Sequence, residues 1–242
     1  MYSKSYTAVM QPYLFPYIGY LNLVWASESF VFYDDVNFIK KGWINRNIVM
    51  MDGLKFPFSI PLVKPSQNKL IKDTLILDLE SFKSKFVKQI YYAYKGSKYF
   101  ETGMEYVEST LKEDFCSIAE LAQYSVTNFF SMIRVEKVFY SSSISFPNIG
   151  GLNRSDRLIQ ITKQLGSNCY LNSIGGINLY SGEYFQSHNI ALSFLMPKIR
   201  PYSQHKNLDF LPGLSLIDII MNLCSDEIVE HLMSYEIIDI FN

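Results

Sequence analysis

No charge of either sign dominates this chain. Its 22 Lys and Arg face 23 Asp and Glu, the net charge is −1, and charged residues make up only 19% of the 242 positions. Without a basic excess there is nothing to track a long phosphate backbone, so nucleic acid is not an expected partner. Small anions, which need only a few local donors, stay open. Cysteine is also scarce. Cys116, Cys169 and Cys224 are widely spaced and form no CxxC pair, which argues against a disulfide framework and fits a reducing, cytoplasmic setting. The three histidines, His188, His205 and His231, stand at no metal-ligand spacing, so no metal site is expected; the sequence identifies no cofactor. Polar residues and prolines interrupt every apolar stretch well short of the roughly 18 residues that a membrane span needs. The N-terminus carries no charged segment followed by an apolar run, so a signal peptide is not expected.

What is abundant is apolar and aromatic. Hydrophobic residues reach 48%, with 18 Tyr and 18 Phe, enough for one large core and for pocket walls that combine a flat apolar face with a hydroxyl. The length fits a single α/β domain over 1–242, with a mainly helical segment at about 81–134. Homodimerisation is compatible with the aromatic content, although no heptad pattern supports it.

Residues 6–10 form a short β-prone run. Gln11-Pro12-Tyr13-Leu14-Phe15-Pro16 holds two prolines and reads as a loop. Ile18, Leu21, Val24 and Trp25 then recur at helical spacing, and Ser29-Phe30-Val31-Phe32-Tyr33 reads as a buried strand ending at Asp34-Asp35. This strand–loop–helix–strand order predicts a βαβ unit and a Rossmann-like, mostly parallel sheet with flanking helices. In such sheets ligands bind beyond the carboxyl ends of the strands, which places Gln11, Tyr13 and the acidic pair beside one crevice. Adjacent strand residues point to opposite faces, so at most one of Asp34 and Asp35 reaches it.

Further along, 56–62 reads as an edge strand because of its prolines, and 71–79 also reads as a strand. Helices are expected at 81–95 and as a pair within 105–134. A strand is expected at 138–141 and a helix from Asn153 to Leu165, capped by Asn153 or Ser155 and stopped by Gly166. Strands at 168–172 and 191–196 and helices at 216–223 and 227–233 complete the pattern.

Several residues carry candidate chemistry. Lys40, Lys41, Asn45 and Arg46 offer a point-charge and fork-like grip for a diphosphate. Asp34 or Asp35 suits a general base or an amine holder, and His205, in a polar loop, suits a general base. Arg157 is the residue to test on its helix. Ser173-Ile174-Gly175-Gly176 is not a P-loop, yet it can present backbone N–H groups to an anion. Cys169 has no local histidine partner and reads as buried packing.

The run Met10-Gln11-Pro12-Tyr13-Leu14-Phe15-Pro16-Tyr17-Ile18-Gly19-Tyr20, together with Phe32-Tyr33-Asp34-Asp35-Val36, Lys41-Gly42-Trp43-Ile44-Asn45-Arg46-Asn47 and Leu214-Ser215-Leu216-Ile217-Asp218, resembles the WbqC-like family over nearly the whole chain. Asn172-Ser173-Ile174-Gly175-Gly176 departs from the Ser-Gly usual in similar proteins and adds a polar side chain near a crevice loop. Members accompany enzymes that make amino-sugar nucleotides for O-antigen and related bacterial surface polysaccharides. The resemblance implies transfer of an acyl or aminoacyl group, such as glycyl, to the amine of a nucleotide-linked amino sugar. The donor would be a thioester on a carrier protein. An ATP-dependent amide ligase and a non-catalytic binding protein of the assembly machinery are the alternatives. A fainter similarity links Tyr17-Ile18-Gly19-Tyr20 to the His-x-Gly-His loop of nucleotidyltransferase-type folds, with Tyr17 beside the ligand and Gly19 allowing a phosphate close to the helix N-terminus. Both histidines are tyrosines here, so the parallel concerns the fold more than the reaction.

Overall fold

The computed structural model describes residues 4–206 and 209–240. Its frame is the unit that opens the chain: β1 (Tyr6–Met10), the proline-bearing loop, α1 (Ile18–Ala26) and β2 (Ser29–Phe32). The two strands pair in parallel, with Thr7 opposite Ser29 and Met10 opposite Phe32. A hairpin of β3 (Arg46–Met51) and β4 (Leu54–Ser59) follows, then α2 (Leu79–Tyr94), α3 (Phe100–Thr110) and α4 (Ile118–Met132). The chain returns through β5 (Val138–Ser141), α5 (Ser142–Ser145), α6 (Arg154–Gln164), β6 (Cys169–Ser173), α7 (Gly182–Ser187) and β7 (Ala191–Pro197). It finishes with α8 (Leu216–Asn222), α9 (Ser225–Leu232) and β8 (Tyr235–Asp239).

Six strands form one sheet in the order β5-β2-β1-β6-β7-β8, and only the β7–β8 pair is antiparallel. Both faces are covered, which is why the strands read as nearly continuous apolar runs. Ala8, Phe30, Phe32, Leu171 and Leu195 enter the larger core, with α1 to α4, α8 and α9. Their neighbours Val9, Val31, Tyr170 and Phe194 enter a smaller core against α6 and α7. The alternation is the two-residue period of a pleated strand. From β1 the chain builds outward to β2 and β5, then crosses back to β6 on the other side of β1. The strand order therefore reverses between β1 and β6, and the carboxyl ends of these two strands flank the place where such sheets bind ligands.

The helical segment is α2, α3 and α4. Asp78 caps α2 by accepting from the Ser81 N–H at 2.9 Å, and Asn153 caps α6 by accepting from the Asp156 N–H at 3.0 Å. Of the expected edge strand at 56–62, residues up to Ser59 form β4, where Pro57 lies opposite Ile48 in a two-stranded sheet whose strands are both edges; Pro61 lies beyond it. Asp52 and Gly53 turn that hairpin with φ of +51° and +74°, the twist a two-residue turn needs.

Several stretches depart from the sequence pattern; β3, α5 and α7 form where it assigned nothing. No strand forms over 71–79. Asp73 and Thr74 donate their N–H groups back to Leu70 and Ile71, and only isolated bridges, Leu62 with Ile76 and Leu75 with Ser117, remain. Turn bonding and the cap at Asp78 outcompete the apolar alternation there. Conversely, β8 forms where the pattern assigned nothing. It covers the β7 edge with Phe194 opposite Ile238. Among the described residues no helix is long and apolar enough to cross a membrane.

Candidate functional site

At the reversal of strand order lies a crevice of about 790 Å³, within the range of small-molecule sites. Met10 ends β1 and Gln11 follows it, Tyr33 and Asp35 follow β2, and Asn172 and Ser173 end β6. Arg154 and Arg157 enter from α6, and Gly175, Gly176 and Tyr180 close the far side. The sheet thus delivers one polar group from the end of each central strand to a common space.

The two arginines are three residues apart on the first turn of α6, a spacing that puts both on one helix face. Arg157 is 6% exposed. Its guanidinium donates to Asp35 Oδ2 at 2.7 Å and lies 4.7 Å from the centroid of the Tyr33 ring. Its Nε is buried without a partner. An unsatisfied buried N–H on a cation is costly, and here it belongs to a side chain that lines an open crevice. Arg154 is exposed at the mouth and makes no ion pair among the described residues. Burial pushes the Tyr33 phenol up to about 12 against the opposing pull of Arg157, so at neutral pH it is a hydrogen-bond donor rather than a base. Burial raises Tyr180 too, with Arg154 acting in the opposite direction.

The two aspartates, just past the end of β2, have separate roles. Asp35 faces the crevice, paired with Arg157 and accepting from the Ser142 hydroxyl. Asp34 is 4% exposed and does not line the crevice. Its carboxylate accepts from the Ser143 N–H at 2.9 Å and the Ser143 hydroxyl at 2.7 Å, and so seats α5. Asp34→Ala is expected to lower stability by about 2 kcal/mol, the cost of leaving buried donors unpaired. Urea unfolding would show a lower midpoint with an unchanged slope.

A second cavity of about 380 Å³ adjoins the first, and Met10 and Ser173 line both. Tyr13, Pro16, Tyr17, Gly19, Tyr20, Leu23, Trp43, Asn47 and Gly213 complete its wall. The proline-bearing loop is fixed from several sides. Phe15 holds φ of +44°, rare for a bulky residue. Its N–H donates to Ser125 Oγ at 3.1 Å, and its carbonyl accepts from Asn47 Nδ2 at 2.7 Å and Ser215 Oγ at 2.8 Å. The Tyr20 hydroxyl donates to the Gln11 carbonyl at 3.0 Å. A Cβ at Gly19 would lie 2.4 Å from the Tyr17 ring. The glycine therefore makes room for that ring.

The crevice brings together Gln11, Asp35, Arg157 and Ser173 of the expected site; Tyr13, Tyr17 and Gly19 line the adjoining cavity. The basic loop does not meet them. Arg46 donates through Nε to the Gly42 carbonyl at 2.9 Å and through Nη2 to the Lys41 carbonyl, and it stacks on Trp43 at 5.4 Å. Asn45 donates to the Ile60 carbonyl at 2.9 Å. Lys41 is exposed in a turn with φ of +63°. These groups shape the loop that carries Trp43, and none of the three lines either cavity. His205 sits beside Gly96, with its N–H on Asn222, and also lines neither. Sequence reasoning does not single out Arg154, Tyr33 or Tyr180, and it marks Asn172 only within a segment that adds a polar side chain near a crevice loop; the Arg154/Arg157 spacing is the available signal. Among the described residues no group of three or more His, Cys, Asp or Glu could hold a metal ion.

Comparison with known proteins agrees with this architecture in extent but adds little chemistry. The chain is 21% identical over 220 residues to the uncharacterised protein Rv1507c of Mycobacterium tuberculosis (strain ATCC 25618 / H37Rv), covering 89% of this chain and 93% of that one. No solved structure matches. Residues 11–230, which include every residue lining the two cavities except Val9 and Met10, match the WbqC-like protein family, and the chain belongs to that family.

Proposed function

We propose that the crevice binds a nucleotide-linked amino sugar and transfers an acyl or aminoacyl group, such as glycyl, to its amine during surface-polysaccharide synthesis. The observation that carries this reading is the buried Arg157, ion-paired to Asp35 on one side and with its Nε unsatisfied. A guanidinium that lines the crevice, with exposed Arg154 beside it, suits a diphosphate. The carboxylate beside it suits an amine. In the reaction the amine nitrogen attacks the carbonyl carbon of a thioester donor, a C–N bond forms and the C–S bond breaks. Asp35 takes the proton from nitrogen, and the thiolate leaves. Family membership supports the polysaccharide context, and the strand-order reversal supports a ligand at this place.

The test is a thermal-shift panel of nucleotide-linked amino sugars, their unaminated counterparts and ATP, followed by mass spectrometry after adding an acyl thioester. A ligand at a hundred times its Kd stabilises by about 2.7 kcal/mol. The expected result is a shift for an amino-sugar nucleotide and an N-acylated product that Asp35→Asn fails to form. Product that appears only with ATP, with release of AMP or ADP, would replace the transferase by an amide ligase. Binding without any change in mass would leave a binding protein.

A further inference from the structure

The crevice with Asp35 and the arginines contains no broad aromatic surface beyond Tyr33 and Tyr180, whereas the smaller adjoining cavity has four aromatic residues in its wall, Tyr13, Tyr17, Tyr20 and Trp43. Tyr17 and Trp43 line that cavity while remaining 37% and 42% exposed. Tyr13 and Tyr20 stand behind them with ring centroids 5.3 Å apart. Large aromatics left open in a cavity wall are partners for another flat ring, since every nucleobase offers a π-face and stacking tolerates its identity. The wall is also held in advance. Gly19 lets the Tyr17 ring lie on the first turn of α1, the loop around Phe15 is hydrogen-bonded from three elements, and Arg46 stacks on Trp43. Holding a wall in its binding shape removes an ordering cost from association. Hydroxyls of Tyr13, Tyr17 and Ser173 are available for the polar edge of a base.

We propose that the aromatic cavity between the proline-bearing loop and Trp43 receives the planar heterocyclic base of the nucleotide, an inference that rests on the crevice binding a nucleotide-linked sugar. Met10 and Ser173, which line both cavities, mark the passage. The diphosphate passes this point toward Arg157 and Arg154, and the sugar lies at Asp35. Lys41 and Arg46, expected to grip phosphate, instead shape the turn that presents Trp43 to the base.

Trp43 can report on its own occupancy. The chain has two tryptophans, so Trp25→Phe leaves Trp43 as the single emitter. Uridine, thymidine, cytidine, adenosine and guanosine diphosphates are titrated in turn, with inorganic pyrophosphate as the base-free probe and an N-acylcysteamine thioester as the donor probe. The expected result is saturable quenching by at least one nucleoside diphosphate and none by pyrophosphate. Calorimetry on Trp43→Ala and Gly19→Ala in the otherwise native chain should show affinity for that diphosphate weakened on the order of 10- to 100-fold, with pyrophosphate affinity unchanged. Because Trp43 is exposed, its alanine variant keeps the fold, which circular dichroism confirms. A nucleoside diphosphate that needs Arg157 but binds Trp43→Ala as tightly as wild type overturns the base assignment and spares the crevice. Quenching by the thioester alone overturns it by assigning the cavity to the donor. Failure of every nucleotide to bind removes both readings together.

Discussion

Arg157→Ala should abolish binding of the nucleotide-linked sugar and should also destabilise the protein by about 3–5 kcal/mol, the usual cost of leaving one member of a buried ion pair alone. For a chain of this size that is roughly a 10 °C fall in melting temperature. Loss of function and loss of fold would then be confounded, and the pair itself provides the separation. Asp35 and Arg157 side chains are 12% and 7% exposed, and replacing both by leucine removes two desolvated charges at once. Apolar replacement of a whole buried pair is often neutral or stabilising. The double variant should therefore recover most of the melting temperature lost in either single variant and recover none of the ligand binding. Restored binding in the double variant would show that the pair is structural and would remove it from the site. Arg157→Lys adds a finer measure. It keeps the charge but not the fork or the Nε donor, so it should keep most of the stability and lose diphosphate affinity.

Asp218→Ala should be the most damaging substitution away from the crevice. Asp218 is fully buried at the start of α8. Its carboxylate accepts from the Tyr94 hydroxyl at 2.9 Å, the Tyr202 hydroxyl at 2.6 Å and Gln204 Nε2 at 2.9 Å. Tyr94 in turn accepts from the Met50 N–H at 3.0 Å. One carboxylate thus joins α2, α8, the hairpin and the 202–204 segment. Burial pushes its carboxyl above the ordinary range, and the hydrogen bonds from Tyr202, Gln204 and Tyr94 pull it back. Alanine leaves three donors unpaired in a buried site, at a cost of about 3–5 kcal/mol. Chemical unfolding measures this directly. Tyr94→Phe removes only one donor and the link to Met50, and it should cost about a third as much by the usual worth of a single bond to a charged group. A loss below that of Tyr94→Phe would show that the carboxylate is not the centre of the network.

The parts of the site that are legible in the sequence depend on local order. The βαβ unit follows from the loop prolines, the helical spacing of Ile18, Leu21 and Val24, and the apolar run before Asp34. The strand period gives the expectation that only one of Asp34 and Asp35 reaches the crevice; the fold shows which, since both lie past the end of β2. Arg46 and His205 lie away from the crevice for one reason: a polar loop does not reveal which way it faces. That depends on where the 41–46 turn folds back on its own carbonyls and on where the chain after β7 crosses the helices, both settled by distant contacts. Asp218 is visible as a lone acid in Leu216-Ile217-Asp218-Ile219-Ile220, but only the fold shows its three donors. Likewise, the turn bonds at Asp73 and Thr74 that prevent a strand compete too closely with alternation to be ranked from sequence.

The neighbouring carboxylates at 34 and 35 also limit how this chain can vary in length. One anchors the segment that leads to α6, and the other meets the arginine which that helix delivers. Deleting or inserting a single residue between Phe32 and Asp35 would exchange their directions, putting the anchor in the crevice and the crevice carboxylate under α5. Relatives that keep this chemistry should therefore differ in length in the loops after Val36 or before Arg154, and keep this short span invariant in count even where its residues change.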